Sequence, residues 1–215
     1  LAIVAFTLWI TVGVTLGIVA AVNKGRLLDR ALVGLTLVVY ALPVFFVGNF
    51  LLQFVSIKWQ LFPFPKYASI DQGFGPWIIG VTLPALTLAL FFMAAYVRFT
   101  RAFVLESMSE DYIRTARAKG LQENRVLVKH GLRAALTPLV TMAGIDFALL
   151  LAGAIITESV FNYQGLGLLA VRANQDSDLP VLIGLVIVAG TAVIVMNIIV
   201  DILYAYIDPR VRLRK

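Results

Sequence analysis

Residues Trp77 to Val97 read WIIGVTLPALTLALFFMAAYV, a run without a single charged side chain. About 20 apolar residues in an α-helix cross the roughly 30 Å hydrocarbon core of a bilayer. Four further stretches are comparably long and apolar, and they cover residues 1–22, 31–56, 134–157 and 179–207. Spanning β-strands would show short segments of alternating polarity, whereas these runs are continuous. The sequence therefore predicts an all-α membrane bundle, a single domain over residues 1–215 with five spans.

The composition supports a membrane protein. Sixty per cent of the residues are hydrophobic and only 14% are charged, and the mean hydropathy is +0.92. A soluble domain is about 45–50% apolar and about 25% charged. So few charges cannot cover a compact core with a polar surface, which excludes a soluble enzyme and a disordered chain. The chain has no cysteine and only one histidine, His130, so we expect no metal site.

The basic residues predict the orientation. Fifteen of the eighteen Lys and Arg residues lie in segments 23–30, 98–133 and 208–215, all on one side of the predicted spans. By the positive-inside rule this side is cytoplasmic, so we expect a cytoplasmic C-terminus.

No basic groove alternates with stacking aromatic residues, so we expect no nucleic-acid partner. The first run starts at Leu1 without the pattern of a signal peptide, and we expect a sixth span upstream.

The long cytoplasmic loop 98–133 is predicted to be structured. Ser109 is in position to be a helix N-cap, and Gly120 is in position to end the helix in the left-handed conformation. Between them, three residues share one face at helical spacing: Tyr112, Ile113 and Ala116. A second helical stretch at about 123–132 leads back to the membrane. The short amphipathic helix has three interpretations that periodicity leaves open: it lies on anionic lipid, it is a solvated loop, or it inserts into a groove on a cytoplasmic partner.

The stretch Asp111–Leu121, DYIRTARAKGL, resembles the cytoplasmic loop of permease subunits from binding-protein-dependent ABC importers. It is most similar to the dipeptide, oligopeptide and nickel branch, whose members include oligopeptide permease B-like subunits. Further matches follow in the expected order along the chain: GRLLDR (25–30), LPVF (42–45), Arg98 and Arg101, HGLR (130–133), GAIITESVF (153–161), GLG (165–167) and DILYAYIDPRVR (201–212). The resemblance covers essentially the whole chain.

This resemblance implies a membrane-spanning permease subunit of the type I kind in the bacterial inner membrane, which is not itself an enzyme. The implied partners are a second homologous permease subunit, two cytoplasmic ATPase subunits that bind ATP and Mg²⁺, an extracytoplasmic binding protein that delivers peptides, and membrane lipid. The permease chain itself is expected to hold no cofactor.

In the family, the loop helix docks into a cleft on an ATPase subunit. The resemblance carries this role to the following residues: Asp111, Tyr112, Arg114, Thr115, Ala116, Arg117, Lys119, Gly120, Leu121 and Glu123. The chain departs from the general motif, which begins Glu-Ala-Ala, because it has Arg114-Thr115-Ala116 at these positions.

Other functions find less support in the sequence. It contains no phosphate-binding loop of the GxxxxGK[ST] type, no HExxH and no GxSxG, so we do not expect this chain to hydrolyse ATP or peptide bonds. A proton-coupled secondary transporter centred on Asp146 is the alternative of another class, although no inverted repeat is visible. The substrate also stays open, with peptides favoured over nickel chelates, glutathione or sugars.

Two carboxylates lie inside apolar spans, where an ionisable group is costly and usually faces the protein interior or water. Asp146 is a candidate for the substrate path or a proton site, and a helix–helix hydrogen bond is the equal alternative. For Asp201 we favour a structural pair, and for Glu158 a capping role in the turn 159–167. Three prolines lie in or at the edge of a span, where a proline can kink the helix or simply be tolerated: Pro43, Pro84 and Pro138.

Overall fold

The computed structural model describes residues 1–151 and 154–207, with side chains through Val200 and at Ile202. Every regular element in these ranges is helical, in the order α1 (Ala2–Val22), α2 (Leu27–Ala41), α3 (Val44–Phe50), α4 (Phe74–Ser107), α5 (Asp111–Ala118), α6 (Glu123–Val126), α7 (Leu132–Leu151), α8 (Ile155–Phe161), α9 (Leu166–Gln175) and α10 (Leu179–Ile207). Four helical segments, and a fifth if a bent pair is counted, are long and apolar enough to cross a membrane. The predicted all-α membrane bundle is confirmed.

The pairing of α1 with α4 forms the centre of the bundle. Trp9 of α1 is fully buried, and its ring stacks on Phe92 of α4 with centroids 4.4 Å apart. At Gly17 the two helices are so close that an added Cβ would lie 2.5 Å from the Cβ of Thr100. Lipid tails are as apolar as the side chains, so such close packing, rather than hydrophobic burial, holds membrane helices together.

The segment predicted as one continuous span over 31–56 is broken. Helix α2 ends at Ala41, Leu42 is extended with φ −84° and ψ 131°, and α3 begins after Pro43. The chain continues as a π-helix over Leu51–Lys58, and the two halves meet at 98°. The physical reason is that a residue before proline is pushed out of the helical region. Pro84 and Pro138, in contrast, lie inside α4 and α7.

The loop was predicted to start at residue 98, but α4 continues to Ser107 and the loop begins only after it. Its 34 residues extend roughly 50 Å, well beyond the roughly 30 Å of hydrocarbon. No glycine or proline interrupts the chain between Val97 and Ser107. Arg98 and Arg101 therefore belong to the last turns of α4. The loop's other end is also helical, because α6 continues through a π-helical turn, Leu127–Gly131, into α7.

The fourth predicted span, 134–157, is replaced by α7 and the separate short helix α8. Glu158 of α8 is buried, and its carboxylate accepts backbone N–H groups from Leu168 at 2.9 Å and Ala154 at 3.3 Å. The structure thus shows the structural role expected for Glu158, joining α8 to α9.

Helices α1 and α10 lie within one residue of the predicted spans 1–22 and 179–207. Gly153, the side chain of Asp201 and the basic tail 208–215 lie outside the described residues, so the predictions for them stay predictions.

We predict that Gly17→Ala lowers the free energy of unfolding by about 1–3 kcal/mol, because the new methyl group must push α1 away from α4. Gly34→Ala in α2 is the matched control, since nothing lies within 4 Å of its Cβ position, and we expect it to be neutral or slightly stabilising. Thermal unfolding of the purified protein in mild detergent measures both. Equal melting temperatures for the two variants would contradict the close α1–α4 packing.

Candidate functional site

The loop between α4 and α7, Met108–Gly131, begins with a helix start that differs from the prediction. Ser109 is not the N-cap of α5; Glu110 occupies that position, with no side-chain capping bond. The hydroxyl of Ser109 instead donates to the carbonyl of Glu106 at 2.7 Å, so it caps the end of α4. Asp111 lies in the first turn of α5, where its carboxylate interacts favourably with the helix dipole.

The end of α5 is as predicted. Gly120 has φ +75°, the left-handed conformation, and its N–H donates to the carbonyl of Arg117 at 2.9 Å. An added Cβ at Gly120 would meet nothing within 4 Å. The requirement for glycine is therefore conformational and not spatial, and it allows the chain to turn from α5 towards α6.

The loop has a small core of its own. Ile113 and Ala116 of α5 are buried together with Val126 of α6, and Met108 and Leu121 pack against them. Of the three residues predicted to share one face of the helix, Ile113 and Ala116 are buried, whereas Tyr112 is 43% exposed. Because Ala116 is 6% exposed, its side chain supports the loop and does not offer a docking surface.

Charged residues cover the outside of this core. Arg117 donates to Glu123 through Nε at 3.0 Å and Nη2 at 2.5 Å, which ties α5 to the start of α6. The neighbouring carboxylate raises the pKa of Arg117. Arg114 lies 3.3 Å from Asp111, and both side chains are largely exposed. The remaining predicted docking residues Thr115 and Lys119 are also exposed, so α5 presents a polar outer surface.

The base of the loop is anchored by an ion pair that sequence analysis did not identify. Arg101 near the end of α4 donates to Asp29 of α2 through Nε at 2.6 Å and Nη2 at 2.8 Å. The N–H of Gly25 also donates to this carboxylate at 2.8 Å. The side chain of Asp29 is 4% exposed. Both partners lie in segments that the resemblance had singled out, but they are 72 residues apart and nothing local pairs them.

Asp146 has a partner within the bundle. The hydroxyl of Tyr96, a fully buried residue of α4, donates to Oδ2 of Asp146 in α7 at 2.6 Å. This is the helix–helix hydrogen bond that the sequence offered as an alternative to a path residue. The Asp146 side chain is only partly buried, and its role in the substrate path stays a prediction.

Several apolar helices and a folded polar loop between α4 and α7 define a multi-pass membrane protein with a structured surface outside the bilayer. The family described as the binding-protein-dependent transport system inner membrane component matches residues 13–213, and the chain belongs to this family.

Known relatives have similar sequences over most of the chain. A probable peptide ABC transporter permease protein of Sinorhizobium fredii is 39% identical, with 99% of this chain and 68% of the relative aligned. The dipeptide transport system permease protein of Escherichia coli K12 is also 39% identical, over 95% of this chain and 67% of the relative. A glutathione transport system permease protein of Shigella flexneri is 40% identical, over 96% and 68%.

These findings confirm the resemblance to ABC importer permeases and place the chain among transport subunits. They do not favour the proton-coupled secondary transporter. The loop α5–α6 and its anchors are therefore parts of an importer's membrane component.

We predict that Asp29→Asn lowers the free energy of unfolding by about 3 kcal/mol, because it leaves the Arg101 guanidinium without its charged partner at a largely buried site. Asp111→Asn is the control: it breaks an exposed pair with Arg114, and such pairs contribute at most about 1 kcal/mol. The measurement is thermal unfolding in detergent. Equally small shifts for both variants would show that the Asp29–Arg101 pair is not an anchor.

Proposed function

We propose that this chain is the permease subunit of an ATP-driven importer that moves di- or oligopeptides across the bacterial inner membrane. An extracytoplasmic binding protein delivers the peptides to it. The peptide and dipeptide permeases among its relatives support the substrate class. The observation that carries the proposal is the folded loop, in which α5 is held outside the bilayer on its own small core.

The loop docks on a cytoplasmic ATPase subunit. Two such subunits hold ATP and Mg²⁺, one under this chain and one under a second homologous permease subunit. The surface geometry of α5 supports docking, because Ile113 and Ala116 are used inside the loop while the charged residues and the ring of Tyr112 are exposed. Arginine offers a planar fork of donors that suits carboxylates and carbonyl groups on a partner. Docking on a cytoplasmic ATPase requires the loop and the C-terminus to be cytoplasmic, which is also what the distribution of the basic residues predicts.

Movement of the ATPase subunits reaches the membrane through α5. The Arg117–Glu123 pair and the buried cluster join α5 to α6, and α6 continues into α7 through the π-helical turn. A displacement of α5 therefore acts on a spanning helix. ATP drives transport because it favours one arrangement of the complex through different contacts in the two states.

The partners are tested by affinity purification of the full-length tagged protein from mild detergent. Recovery of a second permease and ATPase subunits supports the proposal. Recovery of the chain alone, still active in transport, contradicts it. The substrate class is tested by competition: short peptides should inhibit uptake of a labelled dipeptide, whereas glutathione and nickel should not.

We predict that Gly120→Val lowers peptide uptake per ATP hydrolysed by at least about tenfold. A β-branched residue resists the left-handed conformation that ends α5, at a cost of about 1–2 kcal/mol. Gly120→Asn is the matched control, because asparagine tolerates this conformation and the site is open. Uptake and hydrolysis are measured together in proteoliposomes. Normal coupling in Gly120→Val would count heavily against docking through this turn.

We also predict that Asp146 lines the substrate path. Asp146→Asn keeps an oxygen that accepts the Tyr96 hydroxyl but removes the charge. We expect about a fivefold increase in KM for peptides with a free ammonium group, with little change for N-acetylated peptides, since a charge contact is worth roughly 1 kcal/mol. Tyr96→Phe is the control that removes the hydrogen bond and keeps the carboxylate. If Asp146→Asn leaves both KM values unchanged, Asp146 serves only to join α4 and α7.

A further inference from the structure

The buried hydroxyl of Ser107 joins three elements: the end of α4, the start of α5 and the π-helical turn before α7. Ser107 is the last residue of α4, and its Oγ donates to the carbonyl of Gly131 at 2.9 Å. The same oxygen lies 2.7 Å from the hydroxyl oxygen of Tyr112. A serine hydroxyl has one hydrogen, and here it points to Gly131, so Tyr112 must be the donor to Ser107. The result is a directed chain from Tyr112 through Ser107 to the backbone of Gly131.

This hydroxyl chain joins α5 to the end of α4 through side-chain hydrogen bonds. Among the side-chain hydrogen bonds of the described residues, those of Arg117 lead to α6 and that of Thr115 stays within α5. Only Tyr112 reaches the end of α4 in this way. The hydroxyl chain ends at the carbonyl of Gly131. A Cβ added at Gly131 would lie only 2.6 Å from Sδ of Met108, so the end of α4 and the turn before α7 are in close contact here.

The position of Tyr112 suits it to transmit movement. Its hydroxyl is held inside by Ser107, which is 6% exposed, while the residue as a whole is 43% exposed. A protein bound to α5 can therefore contact the ring directly. A cleft of about 450 Å³ lies beside the ring, bordered by Phe103, Glu106, Glu110 and Pro138 among others. This space lets α5 shift relative to α4 and α7 without a clash.

We propose that Tyr112 and Ser107 are positioning residues that transmit the displacement of α5 to both α4 and α7 through this hydroxyl chain. The inference rests on the proposed function, since it needs an ATPase that moves α5. It differs from docking in its consequence: breaking the chain leaves the ATPase bound and active but reduces the peptide moved per ATP hydrolysed.

The test uses Tyr112→Phe, Ser107→Ala and the double variant in the full complex reconstituted in proteoliposomes. We expect Ser107→Ala, a buried change outside the docking residues, to retain ATPase co-purification and hydrolysis. Both single variants should lower peptide uptake per ATP by about fivefold, the effect of losing a hydrogen bond. Because the two hydroxyls act in one chain, the double variant should be no worse than Ser107→Ala alone. Tyr67→Phe is the matched control: Tyr67 is also 43% exposed, but it lies outside the cytoplasmic loop and its coupling should be unchanged.

The outcomes separate the two proposals. If the ATPase subunits fail to co-purify with the wild-type chain, the proposed function fails and this inference fails with it. If they co-purify and Tyr112→Phe keeps the wild-type uptake per ATP, only the hydroxyl chain is overturned. A lower melting temperature of Tyr112→Phe with unchanged uptake per ATP would show a purely structural bond, and it would also overturn the inference.

Discussion

The rest of the structure depends on the continuous helix α4. In hydrocarbon the backbone polar groups must be paired, and α4 stays helical over 34 residues, beyond the hydrocarbon core, although Pro84 within it has no N–H to donate. Along its length, Trp9 packs against it in the centre, Asp146 accepts a hydrogen bond from its Tyr96, and Asp29 pairs with its Arg101 near the Ser107 end. Its last residue, Ser107, is bonded to Tyr112 of the loop. A single helix thus connects the centre of the bundle to the loop that carries α5.

The polar contacts on α4 differ in character with depth. Inside the span, Tyr96 and Asp146 form one hydrogen bond between a neutral donor and a carboxylate, the economical way to place a polar pair between helices. Towards the Ser107 end of α4, the charged Asp29–Arg101 pair is completed by a backbone N–H. A charged pair is tolerated there because a third donor satisfies the carboxylate and because the arginine side chain remains partly exposed.

Two kinds of feature could be predicted from the sequence: the membrane-spanning segments, whose length the bilayer sets, and helix ends that have a clear local signal. Apolar runs of spanning length follow from the thickness of hydrocarbon, and Gly120 ends α5 because few other residues adopt its conformation. Local signals failed where two local outcomes compete. Ser109 has the chemistry of an N-cap but is used by α4. At Pro43 the local signal of a proline kink is correct, and the continuous span expected from composition over 31–56 is broken there. The pairs Asp29–Arg101 and Tyr96–Asp146 join residues 72 and 50 positions apart, and periodicity holds no information on such distant contacts.

The geometry of α5 separates the three interpretations that periodicity left open. A helix lying on lipid must offer an apolar face to the acyl chains, but Ile113 and Ala116 are 0% and 6% exposed and are used in the loop's own core. A solvated loop without a role has no need of a buried cluster, a bidentate ion pair and two hydroxyl bonds to hold one short helix in place. These contacts support the proposed interpretation, a preorganised helix for a protein partner, since ordering the loop in advance reduces the entropy that binding must overcome. Such a helix presents charged side chains together with the exposed ring of Tyr112, and α6 already connects it to α7.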